Sequence, residues 1–394
     1  MRVPSVLILG TRGIPAAHGG FETFAEKLAL FLQERGWAVG VYCQGEGART
    51  GGRFRSEYWN GIELIHVAVA ASGPLGTLEF DHFCVQHAGS RDAVCLVLGY
   101  NGAVFLPWLR LKRRKLITNM DGIEWRRPKW PRPVKAWFWV NEWIAAWSSH
   151  RLVADHPIIA DHLATRRPRR AIATIPYGGE PLLSAPTAPL AELGLEPGRY
   201  FVSIARIEPD NNILTIVEAF SQCRRDARLV VLGNVQRDNA YHRSVLAAAS
   251  EEVLFPGAIY EAATVQALRF HARAYLHGHT VGGTNPSLVE ALWAGSAVIA
   301  HDNPYNRGTA GDAQAYFSDA TSCAELIHRY LHDDLAWKRA RDGARAQAQG
   351  FDWTAILSAY EDELLRLGGF DRVSALGTED TVEGTFAGLA TGAP

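Results

Sequence analysis

The chain has 394 residues, 47% of them hydrophobic, a formal net charge of -1 and five cysteines. That length exceeds what one hydrophobic core usually organises, so two α/β domains are expected, and the balanced charge excludes a global basic field for nucleic acid. The scattered cysteines lack the C-x-x-C spacing of zinc or redox centres, and no run approaches the roughly 20 apolar residues of a membrane span. A soluble or peripheral protein of the reducing cytosol is the expectation.

In chain order, VPSVLILG reads as a buried parallel strand that opens into GTRGIPAAHGGFETFAEKL. A dinucleotide fingerprint would need G-x-G-x-x-G and an acidic residue closing the second strand. Here Gly10 and Gly13 are three apart, and the second strand ends Val41, Tyr42, Cys43, Gln44, which argues against a nicotinamide oxidoreductase. Gly19 and Gly20 instead precede a helical run carrying Phe24, Leu28 and Phe31 at helical spacing. An anion could approach free backbone N–H groups and the positive helix end there; a plain turn fits the pair as well.

WAVGVYC, GIELIHVAV, AVCLVLGY, KLITNMD, RLVADH and AIATIPYG continue the strand-and-helix alternation of a parallel sheet. In NMDGIEW, Asp121 and Glu124 are placed to orient an acceptor or share base work, or simply to cap a loop. Residues 110–151 crowd basic side chains, Arg126 and Arg127 among them, beside Trp125, Trp130, Trp137, Trp139, Trp143 and Trp147. Cations with interfacial tryptophans suit an anionic membrane surface. Trp137, Val140, Ile144 and Trp147 recur at helical spacing and fit a core face, while Trp139 and Trp143, one turn apart on another face, favour the membrane.

The Pro- and Ala-rich stretch at 179–199 reads as a linker between a first domain, 1–178, and a second, 200–350. The second series of strands runs YFVSIAR, ARLVVLG, EVLFPGA, AYLHGH, SAVIAHD and AQAYFSD. Within HGHTVGGTNPSLVEALWAGSAVIAHD, a strand is expected to end at His279, followed by a loop through Gly283, Thr284 and Asn285 and a helix opened by Pro286. The hydroxyls of Thr284 and Ser287 add to its free N–H donors, and Glu290 lies one turn inside, within reach of a ribose. His277 and His279 alternate on the strand; without a partner ligand they fit a structural or donor-contacting role better than a metal site. TAILSAYEDELLRL, within 351–368, is the candidate helix crossing back, and the small, polar, aperiodic 369–394 reads as a flexible tail.

These motifs carry a resemblance. The 277–302 stretch resembles the C-terminal signature of the GT-B retaining glycosyltransferases of family four, and GTRGIP…GGFETF with GGTNPSLVEAL is similar to their bacterial rhamnosyltransferase branch, over roughly residues 5–365. The resemblance implies an α/β GT-B fold: two Rossmann-like domains with parallel sheets facing across a cleft, the first binding acceptor and the second nucleotide sugar. It implies that the Gly19–Gly20 loop contacts the donor phosphates, that Arg206 neutralises the pyrophosphate and that Glu290 holds the ribose. His279, Gly283, Thr284, Asn285 and Ser287 belong to the same expected donor set. Three positions depart from the family pattern. Asn211 stands where a lysine is usual, Gly282 where a first glutamate is usual, and Met120 where a histidine meets the sugar 6-hydroxyl. An apolar Met120 suits a 6-deoxy sugar such as rhamnose. Arg307 or Arg12 would replace the lost lysine charge, unless each is only a solvated surface group.

The implied chemistry is front-face attack, the departing phosphate oxygen taking the acceptor's proton, with Arg206 and Asp121 as the catalytic candidates and no enzyme nucleophile. No D-x-D flanked by apolar strand residues appears, so no catalytic metal or other cofactor is expected. The expected activity is transfer of L-rhamnose from dTDP-β-L-rhamnose to an undecaprenyl-linked saccharide at the cytoplasmic face of the membrane, in cell-surface polysaccharide synthesis. Glu124, Trp125, Arg126, Arg127, Trp130, Trp139 and Trp143 would form the acceptor or membrane surface. A UDP- or GDP-hexose donor is the alternative. A nucleotide-sugar 2-epimerase shares the architecture but needs cleft carboxylates and a histidine that the sequence does not place.

Overall fold

The computed structural model describes residues 3–16, 19–45 and 52–371. The first domain is built on an eight-stranded sheet of β1 (Ser5–Leu9), β2 (Ala38–Gly45), β3 (Phe54–Trp59), β4 (Ile62–Ala68), β5 (Val94–Leu98), β6 (Leu116–Asn119), β7 (Arg151–Ala154) and β8 (Ile172–Thr174). Their order is β3-β4-β2-β1-β5-β6-β7-β8. SVLIL in β1 and VCLVL in β5 are almost wholly buried, as continuous apolar runs are when helices cover both faces of a parallel sheet.

The exception is β3, which pairs antiparallel with β4 at the edge. Its residues are mostly exposed and include Arg55 and Glu57, charges that blunt an open edge. Asn60 and Gly61, both at positive φ, make the two-residue turn that joins the pair.

The second domain carries β9 (Tyr200–Ile204), β10 (Arg228–Leu232), β11 (Val253–Gly257), β12 (Ala274–His277), β13 (Val298–His301) and β14 (Ala315–Phe317). They form one parallel sheet in the order β11-β10-β9-β12-β13-β14. In each sheet the strand that opens the domain, β1 or β9, has its successor on one side and a later strand on the other. The loops at its carboxyl end diverge and leave a crevice for ligands.

The stretch between the domains is not free of structure: Ala188–Glu192 is a short helix whose Leu190 is buried in the second domain's core. The chain crosses between domains twice, and the crossings run side by side. Gly179 N–H donates to the Phe351 carbonyl at 2.9 Å, and Gly179 bridges Asp352. A side chain at Gly178 or Gly179 would start 2.5 Å from the Trp353 ring or 2.1 Å from the Trp293 ring, so the crossing is closed to anything larger than glycine.

The last helix, Trp353–Gly368, packs into the first domain. Ile356, Leu357, Tyr360 and Leu364 share a cluster with Val6, Ile8, Phe24 and Leu28. Tyr360 meets Phe24 with ring centroids 4.6 Å apart, and Arg151 holds Glu363 through two 2.7 Å contacts. Of the tail, only 369–371 fall within the described residues.

Candidate active site in the cleft

Two helices begin at the cleft, one from each domain. The first-domain helix Gly20–Glu34 starts after Gly19, whose φ of 107° is left to glycine and which has no side chain to cap the N–H groups that follow. The second-domain helix Pro286–Trp293 is capped by Asn285, whose side chain accepts the Ser287 N–H at 3.0 Å. A Cβ on Gly20 would lie 3.2 Å from Pro286 Cγ, so the two starts abut. A cavity of about 190 Å³ between the domains is lined by Gly20, Asn119, Asp121, Asp155, Tyr177 and Thr284.

Two carboxyls face this cavity. Asp121 adopts a φ of 52°, with its backbone N–H donating to Asn119 Oδ1 at 3.0 Å. Asp155, the residue after β7, accepts the Thr284 N–H on Oδ2 at 2.9 Å and the Thr284 hydroxyl on its own carbonyl at 2.5 Å. Its Oδ1 is buried with no hydrogen-bond partner. Burial, and then the neighbouring Asp121 charge, push the Asp155 carboxyl well above the usual carboxylate range. Burial and the Glu124 charge raise Asp121, against the pull of Arg127. Burial thus works against the charge of both carboxyls in this part of the cleft.

On the second-domain side, Arg206 follows β9 and lines two cavities, one of about 550 Å³ with Gly233, Tyr241 and His242, and one of about 240 Å³ with Asn211, His279 and Ser287. Its side chain is 69% exposed and lies 3.5 Å from Glu208. Asn211 donates to the Arg206 carbonyl at 2.8 Å and pairs its Oδ1 with His279 Nδ1 at 2.7 Å. The residue at the lysine position therefore carries no charge but fixes the loop that carries Arg206. Burial, and then the Arg127 charge, bring His279 down to about 4, so its ring is neutral near pH 7. Strand β12 ends at His277 rather than at His279, which lies in the following loop. His277 is fully enclosed and brought down to about 3 by burial.

Other expected donor residues have partners already. Glu290, half exposed, pairs with Arg269 at 2.5 Å. The Ser287 hydroxyl is held by Tyr275 at 2.7 Å and by Arg269 at 3.1 Å, inside the domain. Gly283 faces Asp155 so closely that a Cβ would fall 1.8 Å from its Oδ1. Arg307 is bound to Asp302 at 2.6 and 2.9 Å and stacks on Tyr316, which consumes its charge away from the cavities above. Arg12 lines a separate first-domain cavity. Met120 is 1% exposed and part of the first-domain core, so it does not supply the wall for a 6-deoxy sugar that the sequence match placed there.

The basic, tryptophan-rich segment divides into two parts. Arg127 is no surface cation: it enters the cleft, contacting Glu124 at 2.6 Å and buried Asp210 of the second domain at 3.1 Å. Burial opposes the Asp210 charge, but Arg127, a backbone N–H and the Lys129 charge together hold that carboxyl below its usual range. Trp125 donates to Glu142 at 2.8 Å and Trp130 to Glu124 at 3.3 Å, so both are tied inward; Arg126 stays exposed over Trp125.

The helix Arg132–Ser148 turns most of the expected core stripe outward, with Ile144 the one of its four residues that packs against the core. It buries Phe138, Asn141, Glu142 and Ala145, with Glu142 satisfied by Trp125, His162 and Arg166. Trp137, Val140 and Trp147 of the supposed core stripe are 39%, 44% and 59% exposed. Trp139 is exposed as well and meets Trp143 edge-on, while Trp143 is half-buried under Arg166. Among the described residues no helix is long and apolar enough to cross a membrane.

Asp155, Tyr177 and Asn119 were not singled out by motif. The signal was positional: Asp155 closes RLVAD, and carboxyl ends of strands are where ligands bind. The comparisons with known proteins agree with this architecture. Residues 3–180 match a domain of unknown function (DUF1972), and residues 191–349 match the family described as glycosyl transferases group 1. No curated protein matches the chain.

Similar solved structures include a sucrose-phosphate synthase from Thermosynechococcus elongatus, with 16% identity, a TM-score of 0.71, and 93% of this chain and 100% of that one covered. Anabaena HepE in complex with UDP and glucose has 17% identity and a TM-score of 0.71, over 92% of this chain and 100% of that one. An α,α-trehalose-phosphate synthase (UDP-forming) from Burkholderia xenovorans, in complex with glucose-6-phosphate, has 13% identity and a TM-score of 0.71, over 91% and 99%. The chain thus has the GT-B fold, and its second half carries a group 1 glycosyltransferase domain.

Proposed function

We propose that this protein is a retaining, metal-independent glycosyltransferase that takes L-rhamnose from dTDP-β-L-rhamnose and passes it to a lipid-linked saccharide at a membrane surface. The observation that carries the reading is the pair of abutting helix starts at Gly20 and Pro286, with Arg206 at the mouth of the adjoining cavities. Backbone N–H groups, a helix dipole and one guanidinium are the elements a diphosphate leaving group needs, and stabilising its developing charge is the largest available contribution to rate.

In this scheme the bond from the sugar anomeric carbon to the phosphate oxygen breaks as the acceptor oxygen bonds to the same face. The acceptor proton passes to the departing phosphate oxygen, so no side chain is consumed. Asp121 and Asp155 line the space where the acceptor hydroxyl would lie, within reach to orient it by hydrogen bonds. The exposed Trp137, Trp139, Val140 and Trp147 beside basic side chains support an anionic membrane as the place where a prenyl-linked acceptor is met.

Rhamnose rests on the motif resemblance alone, since Met120 lies in the core. A UDP-hexose donor is the second reading, favoured by the likeness to HepE, which was solved with UDP-glucose. A panel of dTDP-rhamnose, UDP-glucose, UDP-galactose and GDP-mannose tested for thermal stabilisation separates them, because a ligand that binds only the folded chain raises Tm according to its affinity. The largest shift is expected with dTDP-rhamnose. A larger shift with UDP-glucose transfers the assignment to a hexose, and no shift with any of them overturns the donor site.

A further inference from the structure

Two cations of the first domain cross the cleft to the loop that follows β9, and each meets a carboxylate there. Arg127 contacts Asp210 at 3.1 Å, and Lys129 contacts Glu208 at 3.1 Å. The two pairs differ in what stands beside the carboxylate. Asp210 is buried. Glu208 has a second cation next to it: the Arg206 guanidinium lies 3.5 Å from Oε1, while Lys129 holds Oε2. One carboxylate is therefore shared by a cation from each domain.

The sharing follows from how the loop is folded. Ile207 is buried in the second domain's core, and the His242 ring closes on the Ile207 carbonyl at 2.7 Å. The Arg206 carbonyl accepts the Glu208 N–H and Asn211 Nδ2, both at 2.8 Å, and the Asn211 N–H donates to the Glu208 carbonyl at 3.0 Å. With the backbone fixed in this way, the freedom left to Arg206 and Glu208 lies in their side chains, and both line the cavity of about 550 Å³. Lys129 is positioned by its neighbours too. It stands between Arg127, tied to Glu124 and Asp210, and Trp130, whose ring centroid is 5.0 Å from the Lys129 ammonium.

The charge at the mouth of the cavity depends on which cation holds Glu208. Arg206 and Glu208 alone sum to zero, and a guanidinium satisfied by a carboxylate attracts an arriving anion weakly. With Lys129 on Glu208, the three groups sum to one positive charge. Lys129 comes from the other domain, so this surplus exists only while the domains are together. The Lys129 and Glu208 side chains keep 24% and 28% of their surface exposed, and an ion pair so open to water adds little to stability. Its worth lies in the field it sets at the cavity.

We propose that Lys129 is a positioning residue for the leaving group: by holding Glu208 across the cleft it releases Arg206 to the diphosphate, so the anion site is complete only when the domains meet. The inference rests on the glycosyl-transfer reading and goes beyond it, tying the phosphate-binding charge of the second domain to one side chain of the first.

The test is calorimetric titration of the full chain with dTDP and with UDP, beside the rate of sugar transfer. Lys129→Met is expected to weaken both diphosphates about 10-fold and to lower kcat by a similar factor, because Glu208 then recaptures Arg206. Glu208→Gln is expected to bind both more tightly than the wild type. The double variant Lys129→Met with Glu208→Gln should recover most of the loss, and Lys129→Arg should retain most of the wild-type affinity. Tm is expected to hold in all four, since the substituted side chains are partly exposed.

A merely structural bridge gives the opposite sign: Glu208→Gln would lose as much as Lys129→Met, and the double variant would recover nothing. That pattern, equal affinities in the wild type and Lys129→Met, or no binding of either diphosphate by the wild type would each overturn the proposal. Failure of the glycosyl-transfer reading shows separately, as absence of sugar transfer by the wild type from every donor while the order of diphosphate affinities among the variants holds.

Discussion

The helices that begin at Gly20 and at Pro286 meet across the cleft, but their first turns are served differently. Asn285 caps the second, and Asp155 reaches over to take the Thr284 N–H. Gly19 brings no side chain to the first. The loops around them differ in the same sense. On the second-domain side Asn211, His279 and the Arg206 carbonyl satisfy one another, whereas on the first-domain side Asp155 keeps an orphaned oxygen and both carboxyls are raised by burial. The difference teaches a division of labour. In the proposed reaction the second domain offers phosphate a fixed, neutral frame with one solvent-facing guanidinium, and the first offers phosphate the bare backbone of Gly19–Gly20 and offers hydroxyls two carboxyls raised by burial.

The sharpest way to break this comparison is Arg206→Ala. Arg206 is mostly exposed, so Tm should hold, while kcat for sugar transfer should fall about 10²–10³-fold through loss of charge stabilisation. An unchanged kcat would take the phosphate away from this side of the cleft. Next in size is Arg127→Ala, which strips the ion-pair partner from buried Asp210. Breaking a buried pair typically costs about 3 kcal/mol, read as a lower denaturation midpoint; an unchanged midpoint would mean that this bridge does not hold the domains together.

Asp155→Asn tests the carboxyl side by pH. A carboxyl raised in the folded chain binds a proton that the unfolded chain has already released, so its contribution to stability is full at low pH and declines as pH climbs above the ordinary carboxylate range. The variant should lose that decline, its melting curve flattening toward neutral pH relative to the wild type. The smallest effect is expected from Trp139→Ser combined with Trp147→Ser. Both side chains are exposed, so stability should change by no more than about 0.5 kcal/mol, while flotation with anionic vesicles should weaken.

Continuous apolar runs such as SVLIL and VCLVL made the parallel sheets readable, because a strand buried on both faces has little choice of composition. The edge strand β3 escaped, since FRSEYW is mostly exposed and lacks such a run; the Asn60–Gly61 turn before GIELI was the available signal. In the Arg132–Ser148 helix, periodicity located a stripe but not its direction. Glu142 is buried through three side-chain partners that come from other elements, and that turned the tryptophans outward.

The place of Gly20 and Thr284 at the cleft was legible because a turn that opens a helix has a local signature, whereas Arg206 came from the family resemblance. Asp155 meets Thr284 across 129 positions of sequence, and Arg127 meets Asp210 across 83, so neither contact has a local spacing to read. Met120 shows the converse: an ungapped match set it against the sugar, but the backbone turns its side chain into the core and presents Asn119 and Asp121 to the cavity.

The most direct test is a crystal structure with an intact nucleotide-sugar donor bound. The account predicts the diphosphate between the Gly20 and Pro286 helix starts, within hydrogen-bond distance of the Arg206 guanidinium and of backbone N–H groups of the Gly19–Gly20 loop. A diphosphate bound elsewhere, or Arg206 still directed to solvent in that complex, would contradict it.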